Sequence, residues 1–253
     1  MSAPVAAIAP RLPAVIEKGR ASAPRATAAL RVLPWALPMT LFALWYLATT
    51  HGWASEQVLV APATVWEAAR ELVSNGELAT HLSASLVRLG TGFGLGAAAA
   101  LIFGIAMGAS RSFEDYVGPL FNTVRQVPTF ALIPAFILIF GVEEVFKIVL
   151  VAKATFYPIA IASFDGVRGI PRPFLEVARL TRLSRWDRLR RLILPATLPT
   201  LATGIRISLG RSWMVLVAAE LIAADAGIGQ MMETGRQMFR MDIVVVGVFV
   251  TGG

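Results

Sequence analysis

The sequence predicts an all-α, polytopic membrane protein of about six transmembrane helices, the last of them incomplete, with a large loop on the cytoplasmic side. Three observations carry this. The chain is 56% hydrophobic and only 15% charged, where soluble domains carry about 25% charged residues, and its mean hydropathy is +0.67. Several apolar runs approach the roughly 20 residues that cross a bilayer core of about 30 Å. Basic and acidic segments alternate between those runs. The formal charge of +7 therefore indicates orientation rather than a nucleic-acid partner, because Lys and Arg accumulate in cytoplasmic loops. With no cysteine and only His51 and His81, neither a disulfide framework nor a thiolate or histidine-rich metal site is available.

Residues 1–30, rich in Ala and Pro, carry Arg11, Lys18, Arg20 and Arg25 against Glu17. They are expected to be a disordered cytoplasmic tail, since no signal-peptide pattern opens the chain; residues 31–253 form the transmembrane domain. The first span is expected over about 32–49, with Trp35, Trp45 and Tyr46 suited to the interfaces. In the polar stretch that follows, PATVWEAARELV spaces its apolar residues as a short amphipathic helix and SNGE marks a turn.

The second span, about 86–109, places Gly92/Gly96 and Gly104/Gly108 four apart, a small-xxx-small pattern that lets helices approach closely. A phosphate-binding glycine loop fails as the alternative, because the run matches neither nucleotide pattern and no strand precedes it. The third span, about 117–140, contains Pro128 and Pro134, so a kink or break is expected. GVEE at 141–144 is a short acidic loop, and the fourth span, about 145–163, is bent by Pro158. A basic loop over 164–194 holds eight arginines, and the fifth span covers about 196–219. Glu220, Asp225 and Glu233 mark another acidic loop before a last apolar run begins at Ile243. Residues 242–253 as a helix reach only about 18 Å, short of a bilayer. Placing the basic segments inside puts both termini in the cytoplasm, provided the last run crosses.

In the basic loop, Arg179, Arg182, Arg185, Arg188 and Arg191 recur every third residue, and so do Leu180, Leu183, Trp186, Leu189 and Leu192. A period of three slips about 60° per step on a helix, or roughly 240° over the run. One straight helix cannot keep that pattern on one face; two short helices with a break can. Pro171 and Pro173 suit the start of the first, with Glu176 in its first turn. Ser184 to Asp187 has capping-box spacing for the second, and Pro195 is placed to open the next span. Such a helix–turn–helix could lie on anionic lipid, act only as an orientation signal, or dock into a partner protein.

The loop resembles the EAA motif of ABC-importer permeases, EAA-x3-G-x9-I-x-LP. Glu176, Ala178, Leu194 and Pro195 match at the right spacing, Val177 and Leu192 are conservative replacements, and Arg182 stands where the family has glycine. VRQVPTFALIPAFILIFGVEEVFKIVLVA (124–152) and GIRISLGRSWMVLVAAELIAADAGIGQMM (204–232) are similar to the taurine/aliphatic-sulfonate/nitrate branch. Over about residues 60–250, AELIAADAGIG and MDIVVV resemble aliphatic-sulfonate permeases most.

The resemblance implies a permease subunit of the bacterial inner membrane that pairs with a second copy of itself. It implies coupling to ABC ATPase subunits, which bind ATP and Mg2+, through Glu176, Ala178, Arg182, Ser184, Trp186, Leu194 and Pro195. It also implies delivery of substrate by a periplasmic or lipoprotein substrate-binding protein, with taurine, nitrate, bicarbonate or a pyrimidine precursor as other cargoes. The chain has no Walker A motif, so it is expected to bind no cofactor of its own and not to be an enzyme.

Ionisable residues at membrane depth are functional candidates. Lys153, Arg206 and Arg211 are therefore candidate translocation-path residues for an anion; alternatively they snorkel or pair with Glu220 or another acid across helices. A membrane enzyme would need clustered His, Asp or Glu at depth, and the acids are mostly in loops. A secondary transporter or channel would show self-contained ion coupling or inverted repeats, and no convincing repeat is present.

Overall fold

In the computed structural model, residues 28–252 are described, apart from 54, 56 and 57; most of the expected tail lies outside them. The helices run in the order α1 (Ala28–Thr50), α2 (Pro62–Ser74), α3 (Glu77–Ala109), α4 (Arg111–Val124), α5 (Ile133–Phe140), α6 (Glu144–Arg168), α7 (Arg172–Leu180), α8 (Arg185–Arg188), α9 (Leu194–Ile222), α10 (Ile228–Gln237) and α11 (Met241–Gly252). No strand occurs among the described residues.

Local chemistry accounts for most boundaries. Pro62 occupies the first turn of α2, where its missing N–H is no loss. The SNGE turn ends α2 at Asn75, and Gly76 takes the left-handed conformation (φ 79°). Ser110 caps α4 by accepting from the Phe113 N–H. Pro128 and Pro134 break the third span as expected: a 3-10 turn at Thr129–Leu132 separates α4 from α5, and the two halves meet at 82°.

Small residues set the packing. The buried face of α3 repeats every four residues as Arg88, Gly92, Gly96, Ala100, Gly104 and Gly108. Gly92 meets Ile148 and Val151, Gly104 meets Ala160 and Ser163, and Gly108 meets Phe164 and Val167, so α3 and α6 are parallel neighbours. A Cβ on Gly96 would stand 2.4 Å from the Ala152 carbonyl oxygen. Helix α9 returns antiparallel to α6: Gly166 lies against Thr197 and Thr200, Gly204 against Pro158 and Ala162, and the Thr155 and Ser212 hydroxyls are 2.6 Å apart. Because α3 and α6 are parallel, the α4–α5 segment must cross the bundle's thickness to join them, as one broken span.

This arrangement sorts the charges by end. Arg111, Arg168 and the basic loop share one end, and Glu77, Glu143, Glu144, Asp225 and Glu233 share the other. Helices α2, α10 and α11 form a subsidiary cluster at the acidic end, built on Leu72, Ile228, Met231 and Val246.

The structure moves several expected boundaries. Helix α3 begins at Glu77 rather than near 86, because the polar residues His81 and Ser85 find partners inside the protein. Three segments are long and apolar enough to cross a membrane, α3, α6 and the continuous helix Trp186–Ile222, and the bent α4–α5 pair is a fourth. Of the six expected spans, α1 and α11 remain: α1 has 23 residues, and α11 is a shorter apolar helix of 12 residues.

Candidate functional site

At the basic end the loop folds as two short helices with a break, as its period of three requires. Helix α7 ends at Leu180, and the chain reverses through Arg182, whose φ of 48° is left-handed. The Ser184 hydroxyl accepts the Asp187 N–H at 3.0 Å and donates to the Asp187 carboxylate at 2.7 Å, capping α8. Leu175, Leu189 and Leu192 pack on Val167, Ile170 and Ile193, anchoring the loop to the bundle.

Ala178 is buried, while Glu176 is exposed. Phe174, Val177, Leu180 and Trp186 present large apolar surface, with Leu180 83% and Trp186 67% exposed. Pro195 does not open a new helix: α8 runs through a π-helical stretch, Leu189–Ile193, straight into α9. Proline has no N–H for an ordinary helical bond, and a wider turn before it accommodates that gap.

Glycine is the residue that adopts the left-handed region at no steric cost, so the conformation at position 182 matches the family's glycine and Arg182 is strained there. Arg182→Gly is expected to stabilise the folded loop by about 1 kcal/mol, read as protection of residues 176–190 in hydrogen exchange.

The intramembrane cations separate. Lys153 and Arg211 line one cavity of about 310 Å3, together with Arg125, which sequence reasoning missed. Arg206 is exposed and lines neither this cavity nor the adjoining one of about 370 Å3. Five residues of helix turn through about 140°, so Arg206 and Arg211 cannot share a face. Glu220 is also out of their reach, because it stands about 21 Å along α9 from Arg206 and about 14 Å and half a turn from Arg211.

Glu220 instead pairs with Arg88. Its fully buried carboxylate accepts from Arg88 Nη1 at 2.8 Å, from the Ser85 hydroxyl and from the Gly229 N–H at 3.1 Å. Arg88 also donates to Glu144 and to the Ala226 carbonyl, and Glu144 accepts from buried Lys147 at 3.1 Å. Ser85 Oγ accepts the Ile228 N–H, and His81 Nδ1 accepts the Gly227 N–H. The network ties α3, α6 and α9 to the loop before α10. It also explains the glycines of AELIAADAGIG: Gly227 has φ 130°, and a Cβ there would fall 2.4 Å from the Glu220 carboxyl carbon. Arg88 lies within the span expected from the sequence, so the rule that singled out Lys153 applies to it equally.

On the outer face of α10, Arg236 holds the Glu233 carboxyl down to about 2. A carboxyl lowered in the folded state contributes stability above its ordinary range and loses it as pH falls toward 2. This end consequently keeps that charge throughout the neutral range.

A close-packed all-helical bundle with broken and apolar spans, ends of opposite charge and an exposed helix–turn–helix is the architecture of a polytopic membrane protein. The chain belongs to the binding-protein-dependent transport system inner membrane component family, whose model matches residues 92–252. It is accordingly an ABC-importer permease subunit. It is 39% identical over 214 residues to SsuC of Bacillus subtilis (strain 168), a permease protein assigned to aliphatic sulfonates transport, covering 85% of this chain and 78% of that one. The Escherichia coli (strain K12) SsuC is 40% identical over 221 residues, covering 87% and 84%. The taurine transport system permease protein TauC of Escherichia coli (strain K12) is 35% identical over 219 residues, covering 83% and 78%.

Proposed function

We propose that this permease moves a small aliphatic sulfonate anion across the bacterial inner membrane. The observation that carries the cargo is the 39–40% identity to two aliphatic-sulfonate permeases over most of the chain. The permease acts as a homodimer, receives substrate at its acidic end from an extracytoplasmic binding protein, and has its basic end and N-terminal tail in the cytoplasm. Charge segregation supports that orientation. Labelled alkanesulfonate uptake in cells lacking and then regaining the gene tests the cargo. Loss and rescue of sulfonate uptake is expected, and loss of taurine uptake alone would transfer the cargo to the relative at 35% identity.

The partner ATPase, with its ATP and Mg2+, seats on α7 and α8, and the exposed Phe174, Val177, Leu180 and Trp186 beside Glu176 support this. Arg182, Ser184 and Ala178 shape the turn, and Leu194 and Pro195 carry its movement into α9. Buried aromatic anchors are worth about 2 kcal/mol or more at interfaces, so Trp186→Ala is expected to weaken binding of the ATPase to the purified permease about thirtyfold and to lower its recovery. Glu176→Lys is expected to leave the permease in the membrane but abolish ATP-driven uptake. Wild-type uptake and wild-type complex recovery in both variants would refute this docking surface.

A further inference from the structure

The cavity of about 310 Å3 opens where the break between α4 and α5 faces the middle of α6 and α9. Arg125, Lys153 and Arg211 line it, and no carboxylate does. Among the described residues, none of the three forms a salt bridge. Lys153 Nζ has only long contacts, 3.3 Å to the Thr129 hydroxyl and 3.4 Å to the Val127 carbonyl, and it sits 5.2 Å from the centre of the Tyr157 ring. Lys153 is about 14 Å along α6 from Glu144, and Arg211 about 16 Å along α9 from Ile222, so the two meet near mid-depth. Uncompensated cations at that depth are costly and mark ion or substrate pathways.

The rest of the wall is apolar, with Phe130, Met214 and Val215. The cavity of about 370 Å3 shares Pro158 and Arg211 with it and runs along the same α6–α9 groove past Thr200 and Asp165 toward the basic end. Arg211 therefore belongs to both compartments.

We infer that this cavity is a transit site that selects a monoanion with an aliphatic tail, its headgroup between Lys153 and Arg211 near Arg125 and its tail on Phe130 and Met214. The inference rests on the sulfonate reading and adds to it a selectivity within the permease itself. An unsubstituted alkanesulfonate satisfies both walls. Taurine brings an ammonium group against three cations, and nitrate leaves the apolar wall unfilled. Arg206 takes no part.

The test uses the permease–ATPase complex in proteoliposomes with its binding protein, and the same complex without that protein for equilibrium binding of labelled butanesulfonate. The wild type is expected to import butanesulfonate, and the complex alone to bind it at least tenfold more tightly than taurine or nitrate. Lys153→Met and Arg211→Gln, recovered at wild-type yield, are expected to lower maximal uptake at least tenfold with KM unchanged, because KM is set upstream by the binding protein. Lys153→Arg is expected to restore both uptake and binding. Wild-type import of butanesulfonate with unaltered rates in Lys153→Met and Arg211→Gln would overturn the site while leaving the cargo intact. A wild type that imports taurine and not butanesulfonate would overturn the cargo and this inference with it.

Discussion

Glu220→Ala is expected to be among the most damaging single substitutions in the bundle. It removes the acceptor for Arg88, Ser85 and the Gly229 N–H at once, in a site where the Glu220 side chain has no solvent exposure and Arg88 has 8%. Breaking a buried ion pair by deleting one partner costs about 3–5 kcal/mol when the remaining charge is left without compensation. Arg88 keeps Glu144, which places the expected loss at about 3 kcal/mol, the low end of that range. The thermal midpoint of the purified protein should fall by on the order of 10 °C. The double variant Arg88→Met with Glu220→Leu removes both charges, and apolar replacement of a buried pair is often close to neutral. It is expected to be more stable than Glu220→Ala alone, since Glu144 is half exposed and retains Lys147. Additive losses in a double-mutant cycle of Arg88 and Glu220 would show that the two do not act as a unit.

The second large effect lies on the α3–α6 contact. A Cβ at Gly104 would stand 2.3 Å from the Ala160 carbonyl oxygen and 2.7 Å from the Ser163 Cβ. Backbone cannot give way as a flexible side chain can, so the two helices must separate along their length. Gly104→Ala is expected to cost about 1–3 kcal/mol, the usual range for overpacking, and Gly104→Leu to prevent recovery of folded protein. Gly94 is ten residues away on the same helix, with nothing within 4 Å of its would-be Cβ. There the intrinsic helix preference of alanine operates alone, and Gly94→Ala is expected to gain about 0.5–1 kcal/mol. Thermal midpoints of the two alanine variants should therefore shift in opposite directions. Equal shifts would mean that helix propensity, rather than the close approach to α6, determines what these glycines do.

These expectations depend on different kinds of information. The spacing of Gly92, Gly96, Gly104 and Gly108 by itself declared a close helix contact, since residues four apart share a face whatever they touch. The prolines declared the break between α4 and α5, and the arginine period of three declared two helices in the basic loop, because backbone chemistry and helical geometry are local. The sequence also determined the family through the residues around Glu176 and Pro195 and through the two long apolar segments.

Only the tertiary structure decided which helix met which face. It made α3 parallel to α6, so that the broken segment has to cross, and it joined α8 to α9 through a π-helical stretch where the sequence suggested a fresh start at Pro195. It also paired Glu220 with Arg88, 132 positions away, rather than with Lys153, Arg206 or Arg211, and gathered Arg125 with Lys153 and Arg211. Long-range pairing of charges depends on helix rotation and depth together, and neither is encoded in the spacing of one segment. Helical geometry can rule out a partnership, as it does for Glu220 with Arg206 or Arg211, but only the packed bundle shows which partnership replaces it.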